Sequence, residues 1–134
     1  VLQLEREEVE NVRLIIGDAV EIVPSIEPKS LRQILVLFPD PWPKKRHHKR
    51  RLIQTDFIEI LVTKLRQGGV IHLATDWRPY AEHMMAVLHA CPNLKNKNGY
   101  NGFWTNPQRP PTKFEARGKR LGNEVWDMQF VKED

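Results

Sequence analysis

Ile34-Leu35-Val36-Leu37-Phe38-Pro39-Asp40-Pro41-Trp42 is the stretch that decides the fold class of this chain. Five apolar residues in unbroken succession, led in by Gln33, form the pattern of a strand buried on both faces of a parallel sheet. The run stops abruptly at Asp40, held between two prolines and followed by an indole ring. Pro41 and Pro43 obstruct an ordinary helix start, so helix capping explains Asp40 poorly. A carboxylate and a flat aromatic at the tip of a buried strand suit the edge and the face of a nucleic acid base.

Directly beyond lies Lys44-Lys45-Arg46-His47-His48-Lys49-Arg50-Arg51, six cations and two histidines in eight residues. The whole chain carries 21 Lys+Arg against 17 Asp+Glu, and removing these six leaves 15 against 17. The positive excess is therefore concentrated in one segment, which is the footprint of polyanion binding. A solvated face or a sorting signal is the plainer reading of a charge run. Its position argues against that, since a sorting signal has no reason to abut the end of a core strand.

Outward from this stretch, residues 12–16 read as a short buried strand bounded by Asn11 and Gly17, with Asp18 and a helical turn after it. From Leu52 to Gln67 the apolar residues Ile53, Phe57, Leu61 and Leu65 recur every four positions, an amphipathic helix stopped by Gly68-Gly69. Val70 to Ala74 reads as a third strand closed by Asp76, and Pro79 opens a further helix carrying Tyr80, Met84, Val87 and Leu88. Residues 92–111 read as a long loop or a ragged strand, Thr112 to Arg120 as a short helix and Glu124 to Val131 as a last strand. This order argues an α/β fold in one domain, residues 1–134, with a largely parallel sheet. Composition agrees: 40% hydrophobic and 28% charged residues suit a globular chain and not a disordered one. No apolar run approaches membrane-spanning length, so no membrane partner is expected. The lone Cys91 excludes an internal disulfide framework and points to the reducing cytoplasm.

Three carboxylates, Asp18, Asp40 and Asp76, each close a strand, and ligands of open parallel sheets bind at that rim. For Asp76, helix cap and site are equally good readings. Thr112-Lys113-Phe114-Glu115 has the form of a capping box. No metal-ligand spacing and no catalytic Ser or Cys arrangement is present, so no metal is expected.

With these residues assembled, the chain resembles the bacterial tRNA (guanine-N7-)-methyltransferases, a class I S-adenosylmethionine-dependent family. The resemblance rests on Asp18-Ala-Val-Glu21, Phe38-Pro-Asp-Pro-Trp-Pro-Lys-Lys-Arg-His-His-Lys-Arg-Arg51, Ala74-Thr-Asp-Trp77, Thr112-Lys-Phe-Glu-Ala-Arg-Gly118 and Val125-Trp-Asp127, in that order. It implies a Rossmann-like sheet lacking its first two strands, with a C-terminal antiparallel strand. It implies S-adenosyl-L-methionine as cofactor and tRNA as partner, with methyl transfer to guanine N7 at position 46 of the variable loop. Asp18 would contact the cofactor's adenine, and Asp40 would sit where the cofactor methyl meets the base, serving both catalysis and cofactor binding. Lys44, Asp76, Thr112, Lys113, Phe114 and Glu115 would bind substrate. Arg46, His47, His48, Lys49, Arg50 and Arg51 would hold the RNA backbone.

The family's glycine-rich loop and the acidic residue ending its second strand do not occur in these 134 residues. The chain alone is therefore expected to be inactive, as the C-terminal portion of a methyltransferase domain. A non-catalytic RNA-binding module or partner subunit is the competing reading. In the family's sheet the strand at residues 12–16 would be parted from the Ile34 strand by the absent pair. It is expected to move beside the Ile34 strand, to pair with another copy through the exposed sheet edge, or to become disordered.

Overall fold

The computed structural model describes residues 10–105, 112, 113, 115, 117 and 124–133. Its elements are α1 (Ala19–Ile22), β1 (Leu31–Leu37), α2 (Thr55–Lys64), β2 (Leu65–Thr75), α3 (Arg78–Ala90), β3 (Leu94–Asn96) and β4 (Trp126–Lys132). Two 3-10 turns, Val23–Ser25 and Lys45–Arg50, complete them. The four strands form one sheet in the order β1-β2-β4-β3. β1 and β2 are parallel, in register from Gln33↔Val70 to Leu37↔Ala74. β4 runs antiparallel to both β2 and β3. The α/β class, the parallel pair and the antiparallel last strand are as the sequence leads one to expect.

Register explains the core. Ile34, Val36, Ile71, Leu73, Met128 and Phe130 are cross-strand partners and share one face. Against that face pack Phe57, Ile58, Leu61 and Val62 of α2 and Tyr80, Met84 and Leu88 of α3. On the opposite face, among the described residues, a buried polar pair replaces a second apolar layer: His72 Nε2 meets Asp127 Oδ2 at 2.6 Å, with the Trp104 ring 5.2 Å from the imidazole. Leu35, beside His72 in register, is left 45% exposed. β1 is thus not buried on both faces, contrary to the reading of its apolar run.

Two further readings are corrected. Residues 12–16 form no strand and their apolar side chains are exposed, with Ile15 at 70%. They do not move beside β1, which pairs with β2 alone among the described strands. A β-branched run becomes a strand only where a neighbour accepts its backbone groups, and among the described residues none does. Second, α2 ends at Lys64, three residues short of Gln67. Its last carbonyls find another partner, since Lys132 Nζ donates to Val62 O and Leu65 O, both at 2.9 Å. Gly69 is required nearby, because a Cβ there would lie 2.8 Å from Arg66 O and 3.2 Å from Arg32 O. Within residues 92–111, where the sequence leaves loop and ragged strand both open, residues 94–96 form an edge strand beside β4.

Candidate active site and nucleic-acid interface

Because Leu37 and Ala74 are partners in a parallel pair, the chain leaves β1 and β2 at the same rim. Asp40 follows three residues after Leu37, and Asp76 two after Ala74. β4 starts at that rim, with Trp126 opposite Thr75. The carboxyl ends of the parallel strands thus collect Asp40 and Asp76, the position at which open α/β sheets bind ligands.

The turn presenting Asp40 is strained. Phe38 (φ 53°) and Trp42 (φ 43°) occupy left-handed backbone, and each directly precedes a proline. Such residues cost of order 1–3 kcal/mol each and persist where surrounding contacts over-determine them. Three contacts do so. Phe38 N donates to Ala74 O at 2.8 Å, Trp42 N to Asp40 Oδ1 at 3.1 Å, and Arg51 Nε to Pro41 O at 2.7 Å. Asp40 is exposed, and its Oδ2 has no hydrogen-bond partner among the described residues. It is a preorganised carboxylate with one oxygen spent on the turn and the other available.

Asp76 is half-buried, and its carboxylate likewise has no partner among the described residues. The cap position of α3 is Trp77, without a side-chain cap bond, and the Trp77 amide donates instead to Thr75 Oγ1 at 3.2 Å. Helix capping therefore does not account for Asp76. It does account for Asp18, whose Oδ1 accepts the Val20 amide at 2.9 Å at the start of α1. Asp18 also lines a cleft of about 380 Å³ with Val20, Lys49, Arg50, Arg51 and Phe57.

The basic segment winds into the turn Lys45–Arg50. Lys44, Lys45, Arg46, Lys49 and Arg50 are exposed, and none has a carboxylate partner among the described residues. Arg50 lies over the Trp42 ring, 5.0 Å from its centroid, and His47 meets the ring edge-on at 5.7 Å. One face of the indole is thus already covered, which narrows its use as a stacking platform. His48 is half-buried, and its Nε2 lies 3.3 Å from the Pro43 carbonyl oxygen.

Arg51 departs from the expected phosphate contact. It is 5% exposed, with its guanidinium 4.8 Å from the Tyr80 ring centroid. Burial lowers its pKa, and burial raises that of the Tyr80 phenol. Sequence reasoning placed Tyr80 in a helical stripe but missed its part here. The available signal was a tyrosine at a buried position, where the hydroxyl must find a partner. Its Oη accepts the Ile53 amide at 3.1 Å.

Thr112 and Glu115 form the expected capping box: Glu115 N donates to Thr112 Oγ1 at 2.9 Å, and Thr112 N to Glu115 Oε1 at 3.4 Å. Lys113 is helical and exposed. Phe114 lies outside the described residues.

A parallel pair with carboxylates at its carboxyl rim and an antiparallel last strand define a class I methyltransferase-like fold. The chain belongs to the family described as "Putative methyltransferase", whose model matches residues 1–128. Among curated relatives it is 50% identical over 134 residues to a tRNA (guanine-N(7)-)-methyltransferase of Legionella pneumophila, covering 98% of this chain and 56% of that protein. A protein of the same name from Pseudomonas paraeruginosa is 51% identical over 126 residues, covering 92% and 52%. The chain thus spans about half the length of the curated relatives it matches. Among solved structures, a SAM-dependent O-methyltransferase from Thermotoga maritima superposes with a TM-score of 0.57 at 14% identity, covering 99% of this chain and 44% of that one. A SAM dependent methyltransferase from Archaeoglobus fulgidus gives 0.52 at 8% identity, covering 97% and 72%. These two likenesses concern the fold alone. No helix among the described residues is long and apolar enough to cross a membrane.

Proposed function

We propose that this chain is the substrate-facing and RNA-facing part of an S-adenosylmethionine-dependent tRNA (guanine-N7-)-methyltransferase, acting at guanine 46 of the variable loop. The observation that carries the reading is Asp40, fixed on a strained turn at the shared rim of β1 and β2 beside five exposed cations that have no carboxylate partner among the described residues. The names and about 50% identity of the relatives support it.

The residues present fit the cofactor at two points. Asp18 keeps one carboxylate oxygen free beside the cleft, suited to an exocyclic amine, and the free Oδ2 of Asp40 suits a neighbouring positive charge. When bound, S-adenosylmethionine supplies an electrophilic methyl group. Guanine N7 already carries an in-plane lone pair, so no residue need remove a proton from it before attack. The task of the chain is orientation, which can contribute roughly 7–11 kcal/mol. Asp40 also favours the positive charge that develops on the purine, so its role is electrostatic and not that of a general base. Asp76, without a partner among the described residues at the same rim, accepts hydrogen bonds from the N–H edge of the base in this reading. Lys44, Lys45, Arg46, Lys49 and Arg50 serve the phosphates, which fix register without reading sequence.

The test uses the protein from its complete reading frame, tRNA and labelled S-adenosylmethionine. Borohydride reduction and aniline cleavage then map 7-methylguanine. Cleavage at guanine 46 alone is the expected result. Label elsewhere on the tRNA, or none, would overturn the reading.

A further inference from the structure

The last cation of the basic run behaves unlike the others. Lys49 and Arg50 are exposed, whereas Arg51 is buried. The 3-10 turn ends at Arg50, and Arg51 adopts extended backbone with φ −60° and ψ 135°. Its guanidinium then lies between two parts of the site. On one side Nε donates to the carbonyl of Pro41, the residue after Asp40, at 2.7 Å. On the other it covers the fully buried Tyr80 ring of α3 at 4.8 Å. Tyr80 is itself fastened, because its hydroxyl accepts the Ile53 amide at 3.1 Å and His83 Nε2 lies 2.8 Å from Ile53 O. Arg51 Nη2 is buried with no partner among the described residues. A cation in that position is inaccessible to a phosphate, and its one hydrogen bond among the described residues goes to the Asp40 turn.

We propose that Arg51 is a positioning residue that clamps the strained Asp40 turn onto α3 and makes no contact with RNA. Its charge-assisted bond is one of the three contacts that hold Phe38 and Trp42 in left-handed backbone, and the one that ties the turn to a helix. Because Arg51 also lines the cleft with Asp18, it joins the surroundings of the two carboxylates assigned to the cofactor. The role in catalysis rests on the methyltransferase reading, whereas the clamp itself does not.

The experiment compares R51Q, R51K and R50Q in the complete protein by three readouts. Hydrogen–deuterium exchange of the peptide covering residues 38–44 should rise at least about tenfold in R51Q and less in R51K, with β2 peptides unchanged. The salt slope of tRNA binding should stay at the wild-type value in R51Q, while R50Q lowers it by roughly 0.7–0.9 and raises the exchange far less than R51Q, its contact with the turn being the Trp42 ring alone among the described residues. Turnover of R51Q should fall at least about tenfold with the KM for tRNA within about twofold, and R51K should recover part of it. A salt slope lowered in R51Q as in R50Q, or unchanged exchange at residues 38–44, would overturn the proposal. So would exchange raised evenly along the chain, which marks a general role in folding. If the wild-type protein fails to methylate tRNA, the functional reading falls, and the exchange and salt readouts still decide the clamp.

Discussion

Neutralising Arg46, Lys49 and Arg50 to glutamine tests the nucleic-acid interface where the structure gives it a number. Five exposed cations without carboxylate partners are available to phosphates, Arg51 being withdrawn into the protein. At roughly 0.7–0.9 released counterions per contact, the log–log salt slope of tRNA binding should be about −3.5 to −4.5. Raising salt from about 50 to 200 mM should then weaken binding roughly 100- to 500-fold. The triple variant should retain a slope of about −1.4 to −1.8. The structural cost is small, because among the described residues the only ring contact of these three side chains is Arg50 over Trp42, worth about 0.5–1 kcal/mol. Fluorescence polarisation of labelled tRNA across a potassium chloride series measures the slope. Calorimetry measures cofactor affinity, which should change far less than tRNA affinity even though Lys49 and Arg50 also line the cleft beside Asp18. A slope that does not move, or cofactor affinity lost in parallel with tRNA affinity, would refute the assignment and make the segment structural.

Asp40→Asn keeps an oxygen to accept the Trp42 amide and removes the charge, so the turn should hold while turnover falls by about 10²-fold. Steady-state kinetics would contradict this if the variant kept turnover within about twofold of wild type. Burial raises the Tyr80 pKa above its ordinary 10.0, so in alkaline solution the native state keeps a proton that the unfolded chain releases. Stability should therefore decline as pH rises above about 10, and Tyr80→Phe should flatten that decline in urea titrations. An equal alkaline slope in both proteins would remove Tyr80 as its source.

Much of the sheet was legible because local pattern and tertiary role agree. The apolar runs of β1 and β2 and the alternation in β4 identify strands, and the abrupt stop at Asp40 identifies the rim. What was not legible depends on neighbours. Residues 12–16 have strand-like composition and, among the described residues, no strand to pair with, and Leu35 has an apolar side chain and no described layer above it. For residues 92–111 composition leaves loop and ragged strand open, and Leu94–Asn96 becomes a strand because β4 offers an edge to it. At the site, residue type indicated the carboxylates correctly placed at the rim, Asp40 and Asp76. It gave no sign that Arg51 is buried, because six cations in one segment look alike in sequence and only the end of the 3-10 turn separates this one.

Guanine N7 as the methyl acceptor is the central claim, and a single-atom change in the substrate tests it. The complete protein would receive methyl-labelled S-adenosylmethionine with two tRNAs that differ only at guanine 46 of the variable loop. One carries guanine there, and the other carries 7-deazaguanine, in which a C–H replaces the N7 lone pair. The account predicts label in the first tRNA and none above background in the second, with equal binding of both. Undiminished labelling of the 7-deaza tRNA would contradict it.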